Sequence, residues 1–124
     1  MSERFKYTEY IYHRTTTPFE STYMELEYVD EDTDEVVSQL RCSIVYKTAI
    51  ISDVLTLPEA RNHGLATKLL KQAIEYCKGK TIFLDCYARN EVALNLYLKL
   101  GFVIHSTSGK MAMTLHRMKY QPDK

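Results

Sequence analysis

Two short stretches carry residue types and spacings that can do chemistry. The first, Arg61-Asn62-His63-Gly64-Leu65-Ala66-Thr67, sets small residues two apart where an apolar run gives way to helical periodicity. A glycine there can take positive φ and lets a ligand approach the backbone. The first N–H groups of a helix have no intrahelical partner and lie at the positive end of its dipole. Together these features make a cradle for an anion such as a pyrophosphate; a plain turn has the same spacing. The Lys-Ser/Thr pair of a P-loop is missing, as are the three glycines of a dinucleotide fingerprint. In the second stretch Asn90 can cap a helix, and Tyr97, seven residues on, shares its face two turns later. A capped helix with a core tyrosine would look the same. His13, His105 and His116 share no metal-ligand spacing with Cys42, Cys77 and Cys86, so no metal site is expected. Cys86 reads most simply as a small buried hydrophobe.

The elements that must position these residues follow from hydrophobic period. Met24, Leu26 and Tyr28 alternate with Glu25 and Glu27, as in a half-buried strand, and Asp30 to Asp34 is turn chemistry. Val36 to Tyr46 alternates again, with Leu40, Cys42 and Ile44 on one face and Arg41 and Ser43 on the other. Ala49 to Leu57 is a more continuous apolar run, which predicts a strand covered on both faces. Phe5 to Tyr12 is a weaker strand. After Pro58 the period becomes helical: Leu65, Leu69, Leu70, Ala73, Ile74 and Cys77 form one stripe, with Gly79 as the stop. Thr81 to Tyr87 is a strand. Asn90 to Leu100 is a helix expected to bury Val92, Ala93, Leu96, Tyr97 and Leu100. Two strands, Phe102 to Ser106 and Met111 to Met118, surround a Ser108-Gly109 turn. The sum is an α/β chain of the α+β mixed-sheet kind, residues 1–124 forming one domain.

Composition bounds the function. The 124 residues carry 16 Lys+Arg and 16 Asp+Glu, and this zero net charge argues against general nucleic-acid binding. No apolar run approaches the roughly 18–20 residues that span a bilayer, and Met1-Ser2-Glu3-Arg4 does not read as a signal peptide. An odd, unpatterned set of three cysteines suggests reduced thiols and a cytoplasmic protein. The charge is polarised, however. Residues 1–60 hold 5 basic and 12 acidic side chains, net −7, and residues 61–124 hold 11 basic and 4 acidic, net +7. Such a chain suits an anionic ligand at one end and a cationic one at the other; an acidic hairpin turn at 30–35 accounts for part of it.

Taken together, Pro58-Glu59-x-Arg61-x-x-Gly64-x-Ala66 and, about 25 residues on, Asn90-x-x-Ala93-x-x-x-Tyr97-x-x-x-Gly101-Phe102 resemble the GNAT superfamily of acetyl-CoA-dependent N-acetyltransferases. The match spans residues 50–118. The resemblance implies a central mixed sheet splayed between its fourth and fifth strands, with acetyl-CoA in the cleft. It implies that the backbone of Arg61, Asn62, His63, Gly64, Leu65, Ala66 and Thr67 holds the pyrophosphate. A bulged fourth strand, Val54-Leu55-Thr56 here, would pair with the pantetheine arm and polarise the thioester oxygen. Asn90 would contact the same arm. Tyr97 would be the general acid: a phenol of pKa about 10 is protonated at neutral pH and can donate to a thiolate whose conjugate acid is near 8.5. Ser52 stands where some relatives carry Glu, which leaves Asp53, the only carboxylate on that strand, as the base for an amine acceptor.

One departure stands out. Similar proteins place two helices between the first and second strands as a wall of the acceptor pocket, but only ten residues separate Tyr12 from Tyr23. Either the acceptor side is open, suiting a protein or peptide amine or, with Glu20, Glu25 and Glu27 nearby, a small cationic amine, or a second subunit of a homodimer supplies the wall. The competing class is a non-catalytic acetyl-CoA-binding or partner-dependent module of the same fold.

Overall fold

A computed structural model describes residues 4–16 and 19–122. Seven strands, β1 (Phe5–Thr16), β2 (Phe19–Asp30), β3 (Val36–Val45), β4 (Thr48–Thr56), β5 (Thr81–Tyr87), β6 (Phe102–Ser108) and β7 (Leu115–Tyr120), form one sheet in the order β1-β2-β3-β4-β5-β7-β6. Every adjacent pair is antiparallel except β4–β5, which is parallel. Two helices, α1 (Leu65–Tyr76) and α2 (Glu91–Leu100), follow β4 and β5.

The period-two strands bury one face. Met24, Leu26, Leu40, Cys42, Ala49, Ile51, Ile82, Leu84 and Met118 gather with Leu69, Leu70, Ala73 and Cys77 of α1 and Tyr97 of α2 in one cluster. Both helices therefore cover the same side. Leu69 and Phe102 are wholly buried there, and truncating either to Ala would cost about 2–5 kcal/mol through lost contacts and a residual cavity.

Among the described residues no helix stands between β1 and β2, which pair from Phe5↔Asp30 to Thr16↔Phe19 as a long hairpin. Thr17 and Pro18, in the stretch expected to be too short for helices, lie outside the described residues. Among the described residues the opposite face of the sheet consequently carries no helix. This corrects the expectation for β4: Ala49 and Ile51 are buried, but Ile50 and Leu55 on the other side are exposed. Its continuous apolar run is a strand covered once, not twice.

Two further expectations change. Val92 is 85 % exposed, and Tyr97 is the one wholly buried side chain of α2, with Ala93, Leu94, Leu96 and Leu100 packed partly against the core. A single buried stripe suffices because α2 packs on β5 and on the edge strand β6 and meets solvent on its other flanks. Met111–Met113 forms a 3-10 turn, with strand structure only from Leu115. Met111 sits at φ +53, and a side chain at Gly109 (φ +80) would run into the Met113 carbonyl, so this tight connection requires glycine.

Candidate active site

The parallel pairing of β4 with β5 runs from Thr48↔Thr81 to Ile51↔Leu84 and stops there. Beyond that point the strands diverge, each still paired on its other side. β4 bulges at the same place: Arg41 faces Ser52 while Gln39 faces Leu55, so Asp53 and Val54 together oppose Leu40. Asp53 takes φ +54, a left-handed conformation that bends the strand. The edge of β4 from Asp53 to Thr56 that looks toward β5 thus has no ladder partner, and it is available to an extended chain. Ser38 and Thr56 hydroxyls meet at 2.8 Å and fix the other edge to β3.

The chain then turns through a 3-10 segment at Pro58–Ala60, and Arg61 Nε donates to the Thr56 carbonyl at 3.2 Å, tying the loop to the strand end. Asn62 and Gly64 both have positive φ, +69 and +70. Gly64 is the N-cap of α1, with no side-chain cap and no acidic residue in the first turn. The first intrahelical bond is Lys68 N–H to Gly64 O, 3.1 Å, so the N–H groups of Leu65, Ala66 and Thr67 are left pointing outward. A Cβ at Gly64 would meet nothing within 4 Å, so the chain is uncrowded on that side of the turn. This geometry fits an anion. Arg61, Asn62 and His63 are exposed beside it; His63 rests edge-on against Phe5, with ring centroids 5.1 Å apart. Leu65 contributes only its backbone, since its side chain is buried with Val37 and Ala60.

On α2, Asn90 Oδ1 accepts from Ala93 N–H at 3.3 Å, which leaves its Nδ2 donors for another partner. Tyr97, 6 % exposed, packs edge-on against Phe102. Burial, with a smaller push from Cys86, raises its phenol to about 12, so it is a proton donor throughout the physiological range. Its hydroxyl has no hydrogen-bond partner among the described residues, and in them no buried side-chain oxygen or nitrogen goes unpaired; the phenol oxygen therefore keeps an opening. Cys86 lies on β5 two residues past the end of the β4–β5 pairing, which puts the Tyr97–Cys86 pair at the mouth of the splay. Burial pushes the Cys86 thiol up and makes it a poor nucleophile.

The structure brings Asp53 to the helix-free face, where its side chain is 56 % exposed and 3.4 Å from Arg41. Arg41 also reaches Glu25 at 3.4 Å. Across the splay, Arg117 grips Asp85 with two bonds of 2.9 and 3.0 Å. Neither guanidinium was legible as a site residue, although each lies on the polar side of an alternating strand. They temper the acidity expected there: Glu25 and Asp85 are paired, and Glu27 accepts from Thr8 at 3.4 Å. Among the described residues no group of His, Cys, Asp and Glu is gathered as a metal ion would need.

A parallel pair that parts, a bulged strand leading to an uncapped helix N-terminus, and a buried phenol on the following helix are the parts of a GNAT-like fold. The acetyltransferase (GNAT) family model matches residues 2–102, and the chain belongs to this family. It is 41% identical over 59 residues to the mouse (Mus musculus) cysteine-rich protein 2-binding protein, a stretch that is 48% of this chain and 7% of that protein. In fold it resembles a putative acetyltransferase from Agrobacterium tumefaciens, with TM-score 0.71 and 19% identity, covering 81% of this chain and 74% of that one. It also resembles the Thermoplasma acidophilum PaiA N-acetyltransferase solved with coenzyme A, with TM-score 0.68 and 19% identity, covering 78% and 59%. The chain thus spans a small part of the mouse protein and about three fifths of the archaeal one. No helix among the described residues is long and apolar enough to cross a membrane.

Proposed function

We propose that residues 1–124 act as one N-acetyltransferase domain that moves the acetyl group of acetyl-CoA to a primary amine by direct attack in a ternary complex. The observation that carries this reading is the coincidence of the β4 bulge at Asp53 with the end of β4–β5 pairing, immediately before the open N-terminus of α1. The backbone N–H groups of 62–67 hold the pyrophosphate. The free edge of Val54, Leu55 and Thr56 pairs with the pantetheine arm and points a donor at the thioester oxygen, and Asn90 Nδ2 steadies the same arm. As the nitrogen–carbon bond forms and the carbon–sulfur bond breaks, Tyr97 gives its proton to sulfur. Asp53, directly or through water, takes the proton of the amine.

The helix-free sheet face favours an open acceptor side, suited to a peptide or protein amine or to a small cationic amine beside Asp53. Three free thiols agree with a reducing, cytoplasmic setting. Calorimetry with acetyl-CoA tests the binding half of this reading. One site per chain is expected, and Gly64→Ala, which puts a side chain on a left-handed backbone (φ +70) beside the cradle, is expected to weaken it roughly tenfold, the equivalent of ~1.4 kcal/mol. Absence of binding by the unaltered chain would overturn it.

A further inference from the structure

Far from the splay, at the other end of α1, Cys42 of β3 and Cys77 meet with their sulfurs 3.5 Å apart, both wholly buried. Cys77 is the C-cap of α1, where the helix gives way to Lys78, Gly79 (φ +86) and Lys80. These residues, with Cys77 itself, Ile82 and Tyr120, line a cavity of ≈ 250 Å³. The two thiols are unequal. The contact with the Cys42 sulfur holds the Cys77 thiol down against burial, with help from Lys80, while Cys42 is pushed up by its contact with Cys77 and by burial. The more acidic partner is thus the one at the helix end, on the cavity side.

We propose that Cys42 and Cys77 are a reversible dithiol–disulfide site whose oxidant is a small peroxide entering the cavity at the end of α1. The Cys77 thiolate attacks the O–O bond of hydrogen peroxide, giving a sulfenic acid and hydroxide, which takes up the thiol proton and leaves as water. Cys42 then attacks the Cys77 sulfur. The sulfur–oxygen bond breaks, the Cys42 proton goes to the departing hydroxide, and a second water is released. Two thiols lose two electrons and one peroxide gains them. Closing the bond needs the sulfurs to move from 3.5 Å to about 2.05 Å.

Trypsin separates the three cysteines cleanly, into residues 42–47, 72–78 and 81–89. The native chain, treated with submillimolar peroxide, alkylated in denaturant and digested, is expected to yield the 42–47/72–78 cross-linked pair, with Cys86 fully alkylated. Dithiothreitol should reverse the link. The oxidised chain should melt at least about 5 °C higher than the reduced one, because the bridge closes a long loop of the unfolded chain. Full alkylation of all three thiols, cross-links to Cys86, or Cys77 oxidised to sulfinic acid while Cys42 stays free would each overturn the proposal. The mapping uses the unaltered chain, so it does not depend on whether Cys42→Ala folds. Where that variant folds, its Cys77 should be trapped by dimedone as the sulfenic acid, and failure of dimedone to label it would count against the first step.

Discussion

On the face of the sheet that carries no helix, Arg41 Nη1 lies 3.4 Å from Asp53 Oδ2. The guanidinium belongs to β3 and the carboxylate to the bulge of β4, so the contact fixes the direction of a side chain whose backbone is already held at φ +54. A general base must be positioned before its protonation matters. Asp53→Asn is therefore expected to lower kcat/KM roughly 10²–10⁴-fold, the usual worth of a general base. Arg41→Gln, which leaves the carboxylate in place, should cost less. An unchanged kcat/KM in Asp53→Asn would assign the proton to another group.

Tyr97 is buried against Phe102 and its phenol is raised to about 12. Tyr97→Phe keeps the ring packing and removes the proton. Its kcat should fall about 10²–10⁴-fold, while acetyl-CoA affinity in calorimetry stays within about twofold. Since the phenol stays protonated well past neutral pH, kcat of the unaltered chain should show no alkaline decline from this residue below about pH 10.

The same burial links stability to pH. The folded-state pKa of Tyr97 lies above its unfolded value, so its contribution is complete below pH 10 and is lost as pH rises from 10 through about 12. Its share of that loss is about 2–3 kcal/mol. Tyr7, raised chiefly by burial and also by Glu9, acts in the same direction. Denaturant melts between pH 9 and 12 should therefore show a steep alkaline decline that Tyr97→Phe makes shallower; equal slopes would mean the phenol ionises freely when folded.

At acid pH the sign reverses. Asp30 accepts from Arg4 Nε at 2.9 Å and from Asp32 N–H at 2.9 Å at the β2–β3 turn, and Arg4 is the main cause of its lowered pKa. Its stabilisation is present above the unfolded pKa and is lost as pH falls through the folded one. Arg4→Ala should lower the melting temperature at pH 7 and lose less between pH 5 and 2 than the unaltered chain, which thermal melts at both ends of that range will measure.

The helix N-terminus at Gly64, the cap at Asn90 and the buried Tyr97 were legible because local rules govern them: a small residue at a turn, an amide before a helix, a 3.6-residue stripe. The stripe misled at Val92, because periodicity ranks faces by residue type and cannot tell which flank of α2 reaches the sheet. The bulge at Asp53 left no local mark, and only the family resemblance implied a bulged fourth strand. It arises from the register of β4 against β3, which only Leu40 facing two residues reveals. Arg41 and Arg117 were missed for the same reason, as their partners Asp53 and Asp85 are brought near by strand pairing across 12 and 32 residues. The Met111–Met113 turn was hidden because its apolar residues look like a strand, and the crowding of Gly109 against Met113 appears only once the chain is folded.

Release of free thiol from acetyl-CoA across a panel of amines tests the central claim most directly. The panel should include a polyamine, a lysine-bearing peptide and peptides with free N-termini. Thiol release above the acetyl-CoA hydrolysis background that depends on at least one amine, and that Tyr97→Phe nearly abolishes, is the result expected. Binding of acetyl-CoA with no amine-dependent release by any member of the panel would contradict it and leave a non-catalytic binding module.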